Sequence, residues 1–207
     1  MRKYKMKYRE SGMPDEQVWD NFFNPQQILD EMGINKNIDT LIDVGCGYGT
    51  FLIPSANLVG GTVIGIDIEN EMIEVCKKKM QDQDIKNIDL LCGDISTENI
   101  TKALKQYTGK IDYITLFNIL HCEQPSDLLG NVYDIVKSNG KIGVIHWKYE
   151  NTPRGPSMGI RPTPETIIGW ATKTGLSLEK YVELPPYHFG LVFIKRFKKG
   201  LWWKGEI

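Results

Sequence analysis

From Thr40 onward, short β-branched or leucine-rich runs alternate with longer stretches of helical periodicity. That alternation is the pattern of repeated strand–helix–strand units, and it constrains the chain to a mainly parallel sheet with helices on its faces. Strands are expected over 40–44, 62–67, 88–91, 111–117, 141–147, 176–183 and 187–195, and helices over 50–58, 69–80, 98–107, 125–137 and 164–174. Pro125 and Pro164 sit where proline suits a first helical turn, and Gly175 suits a helix stop. The last two strands are separated by a proline pair, too short for a helical crossover, so they should pair antiparallel. Ahead of the sheet, residues 15–32 form a helical stretch broken at Asn24 and Pro25 and ending near Gly33. It carries Trp19, Phe22 and Phe23, which either dock a helix on the domain or close over a ligand.

With 207 residues and no internal repeat, the chain reads as one α/β unit, doubly wound around a seven-stranded sheet. Segments 1–34, 35–195 and 196–207 are expected to be an N-terminal helical lid or docking piece, the main domain and a basic aromatic tail. No apolar run approaches the roughly 20 residues that span a bilayer, and the start of the chain lacks a signal-peptide core, so the cytoplasm is the expected location. Cys46, Cys76, Cys92 and Cys122 contain no CxxC pair and read as reduced thiols. The 25 Lys and Arg nearly balance 26 Asp and Glu, but ten of the basic residues crowd the two ends. Without those ten, and without Glu10 and Glu206, 15 positive charges face 24 negative ones, which is no platform for nucleic acid.

The segment from Leu41 to Thr50 carries the chemistry. An apolar strand runs into Gly45, Gly47 and Gly49 and then into a helix, so a tight turn and free helix N–H groups face one ligand. A second acidic strand end follows at Asp67, 22 residues after Gly45, near the roughly 20-residue offset at which a carboxylate holds ribose hydroxyls. The dinucleotide fingerprint asks for glycine three positions after Gly47, where Thr50 stands. Asp43, just ahead of the turn, would repel a pyrophosphate and favour a cation. S-adenosylmethionine, with ribose, adenine, ammonium and sulfonium but no phosphate, suits both acids.

Asp43-Val44-Gly45-Cys46-Gly47-Tyr48-Gly49, Gly65-Ile66-Asp67, Gly93-Asp94-Ile95 and the run from Asp112 to Asn118 resemble, in order and spacing, the first four motifs of the class I S-adenosylmethionine-dependent methyltransferases. The resemblance covers about residues 40–147 and implies a sheet order of 3-2-1-4-5-7-6 with strand 7 antiparallel. It implies that Asp43 and the Gly45, Cys46, Gly47, Tyr48 and Gly49 loop surround the methionine part, and that Asp67, with Ile68 beside it, holds the ribose. It further implies that Asp94 and Ile95 meet the adenine and that Asn118 lies beside the methionine moiety. Phe117-Asn118-Ile119-Leu120 departs from the Asn-Pro-Pro-aromatic sequence of the base-methylating branch, which speaks against amino methylation of bases.

Individually, Asp67 and Asp94 also read as helix caps. Together, at the carboxyl ends of successive strands, they read as a binding site. His121, after the fourth strand, is the candidate catalytic residue near the transferred methyl, although His121, His146 and His188 each also read as hydrogen-bonded structural histidines. No metal site is expected from three scattered histidines. Glu123 beside Cys122 opposes a thiolate there. Trp19, Phe23, His121 and Arg154 are the candidate substrate residues, with Arg154 able to hold an anion by bidentate pairing. The expected activity is methyl transfer from S-adenosylmethionine to a small molecule. The alternatives are an RNA-modifying enzyme working through its basic ends, among them Lys195 and Arg196, and a methyltransferase-like protein that binds without turnover. Nothing in the sequence specifies an oligomeric state.

Overall fold

The computed structural model describes residues 23–196, so Trp19, Phe22 and the tail from Phe197 lie outside the described residues. Its strands are β1 (Thr40–Val44), β2 (Thr62–Asp67), β3 (Ile88–Cys92), β4 (Ile111–Phe117), β5 (Val136–Trp147), β6 (Ser177–Leu184) and β7 (His188–Ile194). They form one sheet in the order β3-β2-β1-β4-β5-β7-β6, with β1 to β5 parallel and β7 antiparallel to both β5 and β6, as the resemblance implies. The helices are α1 (Pro25–Glu31), α2 (Leu52–Leu58), α3 (Asn70–Asp82), α4 (Glu98–Leu104), α5 (Pro125–Ile135) and α6 (Pro164–Thr174).

Alternation along the strands splits the core between two faces. Ile42, Ile64, Leu116 and Val144 point into a layer closed by Leu104 of α4, Leu129 of α5 and Ile167 of α6. Leu41, Val63, Tyr113 and Ile145 point the other way, under Leu29 of α1, Leu52 of α2 and Ile73 of α3. Three helices cover each face, which is why the central strands are apolar on both sides. α1 begins where expected, with the Asn24 side chain accepting from the Gln27 N–H ahead of Pro25. It is fastened to the sheet by the buried Tyr113 hydroxyl, which donates to the Met32 carbonyl at 2.8 Å. The start of β1 is registered by Asp112, whose carboxylate accepts from the Asp39 and Thr40 N–H groups at 2.9 Å each and pairs with Lys137.

Two boundaries differ from the sequence expectation for physical reasons. The helix expected over 125–137 stops at Ile135 because Val136 turns extended and pairs with Ile111 at the start of β4. β5 therefore begins five residues earlier than 141, with an irregularity through Asn139, whose φ is +63°, before Lys141 rejoins opposite Tyr113. Lys195 continues the pairing of the last strand, its N–H donating to the Gly140 carbonyl at 3.0 Å, while its ammonium, grouped with the basic tail in the sequence, donates to the Tyr133 and Val136 carbonyls at 2.6 and 2.9 Å and closes the end of α5. Among the described residues no helix is long and apolar enough to cross a membrane.

Tyr113→Phe leaves the Met32 carbonyl buried without its donor. It should cost about 1–2 kcal/mol and lower the thermal midpoint by about 2–8 °C; an unchanged midpoint in a melting curve would show that α1 is held by packing alone.

Candidate functional site

Chain order reverses between β1 and β4, and a doubly wound sheet opens a crevice at such a point, beyond the carboxyl ends of its strands. A cavity open to solvent occupies that crevice, the place where such sheets take their ligands.

The wall next to β1 is built by the turn. Gly45, Gly47 and Gly49 take φ values of +74°, +51° and +80°, a region that disfavours side chains. The Gly45 and Cys46 N–H groups donate to the Ile66 carbonyl at 2.7 and 3.1 Å, which ties the turn to the end of β2. A Cβ on Gly49 would stand 3.1 Å from Cys76 Sγ and from Ile53 Cγ1, so the third glycine serves helix packing. Asp67, buried at the end of β2, accepts from the Gly47 N–H through one carboxylate oxygen and from the Glu69 N–H through the other, both at 2.9 Å. It is both a loop brace and an acid in the cavity wall, so neither sequence reading of it excludes the other.

The structure brings Gly45, Gly47, Asp67, Ile68, Asp94, Ile95, Asn118 and His121 to one cavity. Val44, Glu69, Met72 and Leu128 line it as well and were not singled out in the sequence. Glu69 and Met72 had a legible signal, because the first turn after an acidic strand end faces the same crevice. Ile68 keeps 42% of its surface exposed, an apolar face offered at the mouth. Asp94 is part of a turn at the end of β3, where it accepts from the Ser96 N–H at 2.8 Å and hydroxyl at 2.7 Å. Opposite these acids, Asn118 is held at a φ of +57°, and both of its amide atoms are buried with no hydrogen-bond partner. An unpaired buried amide in a left-handed backbone is costly twice over, which sets Asn118 apart from an ordinary packing residue.

Several candidate residues fall outside the lining. Asp43 lies behind the turn, accepting from the Thr115 hydroxyl at 2.6 Å. Burial lifts its carboxyl to about 6, partly offset by that hydrogen bond and reinforced by Asp67. Cys46 is buried as well, and its hydrogen bond with Cys76, followed by burial, pushes its thiol well above the ordinary range. Tyr48 and Gly49 belong to the turn without lining the cavity, and the Tyr48 carbonyl accepts from the Lys79 ammonium at 2.7 Å. Phe23 packs its ring on Phe51 and His188, at centroid distances of 5.1 and 4.6 Å, rather than into the cavity.

Arg154 is exposed and away from the cavity, so the structure does not bring it to the site. The buried arginine of that loop is Arg161. Its guanidinium donates to the Lys148, Glu150 and Pro156 carbonyls and the Thr152 hydroxyl at 2.7–3.0 Å, and to the Arg154 carbonyl at 3.4 Å. It binds the whole loop after β5 into one body and lies 5.9 Å from the Trp147 ring. A burial signal for it was absent from the sequence, since charge and spacing alone do not distinguish two arginines seven residues apart.

His121 lines the cavity with its Nδ1 buried and unpartnered, and its ring meets that of His146 at 5.6 Å. Burial, then the Arg161 charge, lowers His121 to about 4. Burial, then His121, lowers His146 to about 3, and burial, then Arg161 and Lys148, lowers His188 to about 3. All three rings are therefore neutral at physiological pH. Cys122 is no thiolate, because burial raises it to about 11.

The sequence profile of a family described as "Methyltransferase domain" matches residues 35–158. The demethylmenaquinone methyltransferase of Oceanobacillus iheyensis is 30% identical over 110 residues, 52% of this chain and 44% of that protein. This chain thus spans less than half the length of that relative. Among solved structures, a SAM dependent methyltransferase from Aquifex aeolicus superposes with a TM-score of 0.75 at 23% identity, covering 87% of this chain and 93% of that one. The [4+2]-cyclase SpnF shares the fold at a TM-score of 0.70 and 12% identity, covering 91% and 85% of the two chains. Fold alone therefore does not fix the chemistry.

The shifted groups act on stability with opposite signs. Each histidine lowered from 6.5 takes up its proton more readily when unfolded, so it withdraws stability as pH falls below 6.5, by about 1.4 kcal/mol per pH unit until its folded value is reached. Asp43, raised from 3.8 to about 6, contributes stability that is complete below 3.8 and lost as pH rises through about 6. Thermal midpoints should be level above about pH 6.5 and fall steeply below it, and Asp43→Asn, which removes a group that gains stability on acidification, should make the fall below pH 6 steeper. A profile flat from pH 5 to pH 8 would contradict the neutral buried histidines.

Proposed function

The chain belongs to the methyltransferase-domain family, and on that premise we propose that it binds S-adenosylmethionine in the β1–β4 crevice and delivers its methyl group to a small molecule. The observation that supports this best is one cavity lined by the Gly45 and Gly47 backbone, Asp67, Asp94 and the unpaired Asn118 amide. These residues fit the cofactor's chemistry: carboxylates for hydroxyls, amine and cationic groups, an amide for the amino-acid end, and no basic group of a kind that would hold a pyrophosphate among the lining residues.

When bound, S-adenosylmethionine supplies a methyl group already activated on a sulfonium. Asp67 would accept from the ribose hydroxyls, braced by the Gly47 N–H. Ile68 and Ile95 would face the adenine and Asp94 its amino edge, while Asn118 would meet the methionine portion. Asp43, Cys46, Tyr48 and Gly49 support from behind: Asp43 adds negative potential under the turn, and Cys46 and Gly49 seat the turn on α3 through Cys76. With the donor activated, the protein's work is alignment and exclusion of water, and the small-molecule wall would come from His121 in the lining and, beyond it, the loop braced by Arg161. The names of the curated relatives support a small acceptor. The RNA alternative loses support at Lys195, whose ammonium is bonded within the domain. Residues 1–34 as a lid or docking piece, 196–207 as a plain tail, and a cytoplasmic location complete the proposal.

Calorimetry should give micromolar binding of S-adenosylhomocysteine and much weaker binding of NAD. Asp67→Ala removes a charged acceptor worth about 1.5–3 kcal/mol and should weaken binding roughly 10–100 fold, whereas Asp67→Asn, which keeps one acceptor oxygen, should lose less. Equal affinities in folded variants would reduce Asp67 to a loop brace.

A further inference from the structure

The polar groups around the cavity are segregated by charge. Asp67, Glu69 and Asp94 stand on the β2 and β3 side, with Asp43 behind them. On the β4 and β5 side there is no carboxylate in the lining. There, Asn118 and His121 present buried, unpaired polar atoms, and His146 sits behind His121 with its Nε2 also buried and unpaired.

The charge behind that side is positive. Arg161 is buried, and every hydrogen bond it makes ends on a neutral carbonyl or hydroxyl. Glu150, the carboxylate whose charge it feels, is exposed. Lys148 is paired with Glu183 at 2.9 Å. Glu123, adjoining His121 and Cys122 in the chain, is exposed as well. A desolvated guanidinium without an anionic contact favours negative charge nearby, because little water screens it.

The geometry points to an anionic methyl acceptor: a compact acidic compound, such as a thiol, phenol or enol, that binds in ionised form with its charge between the Asn118 amide and the His121 ring. This inference rests on the cofactor reading above and names the substrate class of the same site. The donors are of the right kind, since the Asn118 amide can meet the cofactor's ammonium through its oxygen and still give an N–H to the acceptor, a neutral imidazole gives another, and hydrogen bonds to an ionised acceptor are about twice as strong as neutral ones. The acceptor leaves its proton with solvent on entering, so the transfer needs no base from the protein. That suits His121, whose lowered affinity for protons makes it a poor base and a durable neutral donor. The anionic substrate suggested by Arg154 in the sequence is thus served by field rather than by contact, through Arg161.

The test is made on the full chain saturated with S-adenosylhomocysteine, using 4-nitrophenol, which turns yellow on ionisation, and benzylammonium as a cation of similar size. Bound 4-nitrophenol should stay yellow about one pH unit below its free midpoint. His121→Phe and Asn118→Gly, the latter keeping the left-handed backbone, should each weaken its binding roughly 10-fold. Arg161→Gln should move the midpoint part of the way back toward the free value; if that variant does not fold, the His121→Phe loss carries the test. Tighter binding of benzylammonium, a midpoint shifted upward, or no probe binding while S-adenosylhomocysteine binds would each overturn the anionic acceptor and leave the cofactor reading standing. Absence of S-adenosylhomocysteine binding would remove both.

Discussion

Between Val44 and Thr50 the backbone leaves the sheet, turns and enters α2, and three left-handed glycines permit it. That turn is anchored to the end of β2, at the Ile66 carbonyl and the Asp67 carboxylate, so it cannot shift without moving the neighbouring strand. The position of every other group at the cavity is set relative to it. Asp67 is held in the wall by the same bonds that hold the turn, Ile119 lies against Gly45 close enough to exclude a side chain there, and Cys76 of α3 reaches the Gly47 carbonyl at 3.3 Å. A loop fixed by its own hydrogen bonds has little left to lose on ordering around a ligand, which is the economy of a preorganised site.

Around this fixed turn the site is polarised. The acids cluster at the ends of β1 to β3, and neutral histidines backed by a buried guanidinium stand at the ends of β4 and β5. A sulfonium donor and an anionic acceptor would each find the favourable side, and the field would draw their reacting atoms together. Low local dielectric is what gives this arrangement weight, since the same charges in water would be worth about a kcal/mol at contact distances. The cost appears in the histidines, which are held uncharged by burial, and in Asn118, whose amide is buried unpaired and whose backbone is left-handed.

The sheet was legible in the sequence because its signals are local: β-branched runs, prolines at the first turns of α5 and α6, and a two-proline hairpin that forbids a crossover. The strand order came from the resemblance rather than from the patterning. Where α5 ends was not legible, since it depends on Val136 finding Ile111 across the sheet, a contact 25 residues away in sequence. At the site, residues at strand ends were found because motif and topology agree there. Arg161 was missed in favour of Arg154 because only burial tells them apart, and burial is a property of the folded loop. Asp43 stood in the same motif, but the structure puts it behind the turn, bonded to the Thr115 hydroxyl and outside the cavity lining.

A crystal structure of the full chain with S-adenosylhomocysteine bound tests the central claim most directly. The account predicts ribose hydroxyls within hydrogen-bond distance of Asp67, adenine between Ile68 and Ile95, and the amino-acid end against the Gly45 turn and Asn118, with the turn itself unmoved. Ligand density away from the β1–β4 crevice, or a ribose bound without Asp67, would contradict it.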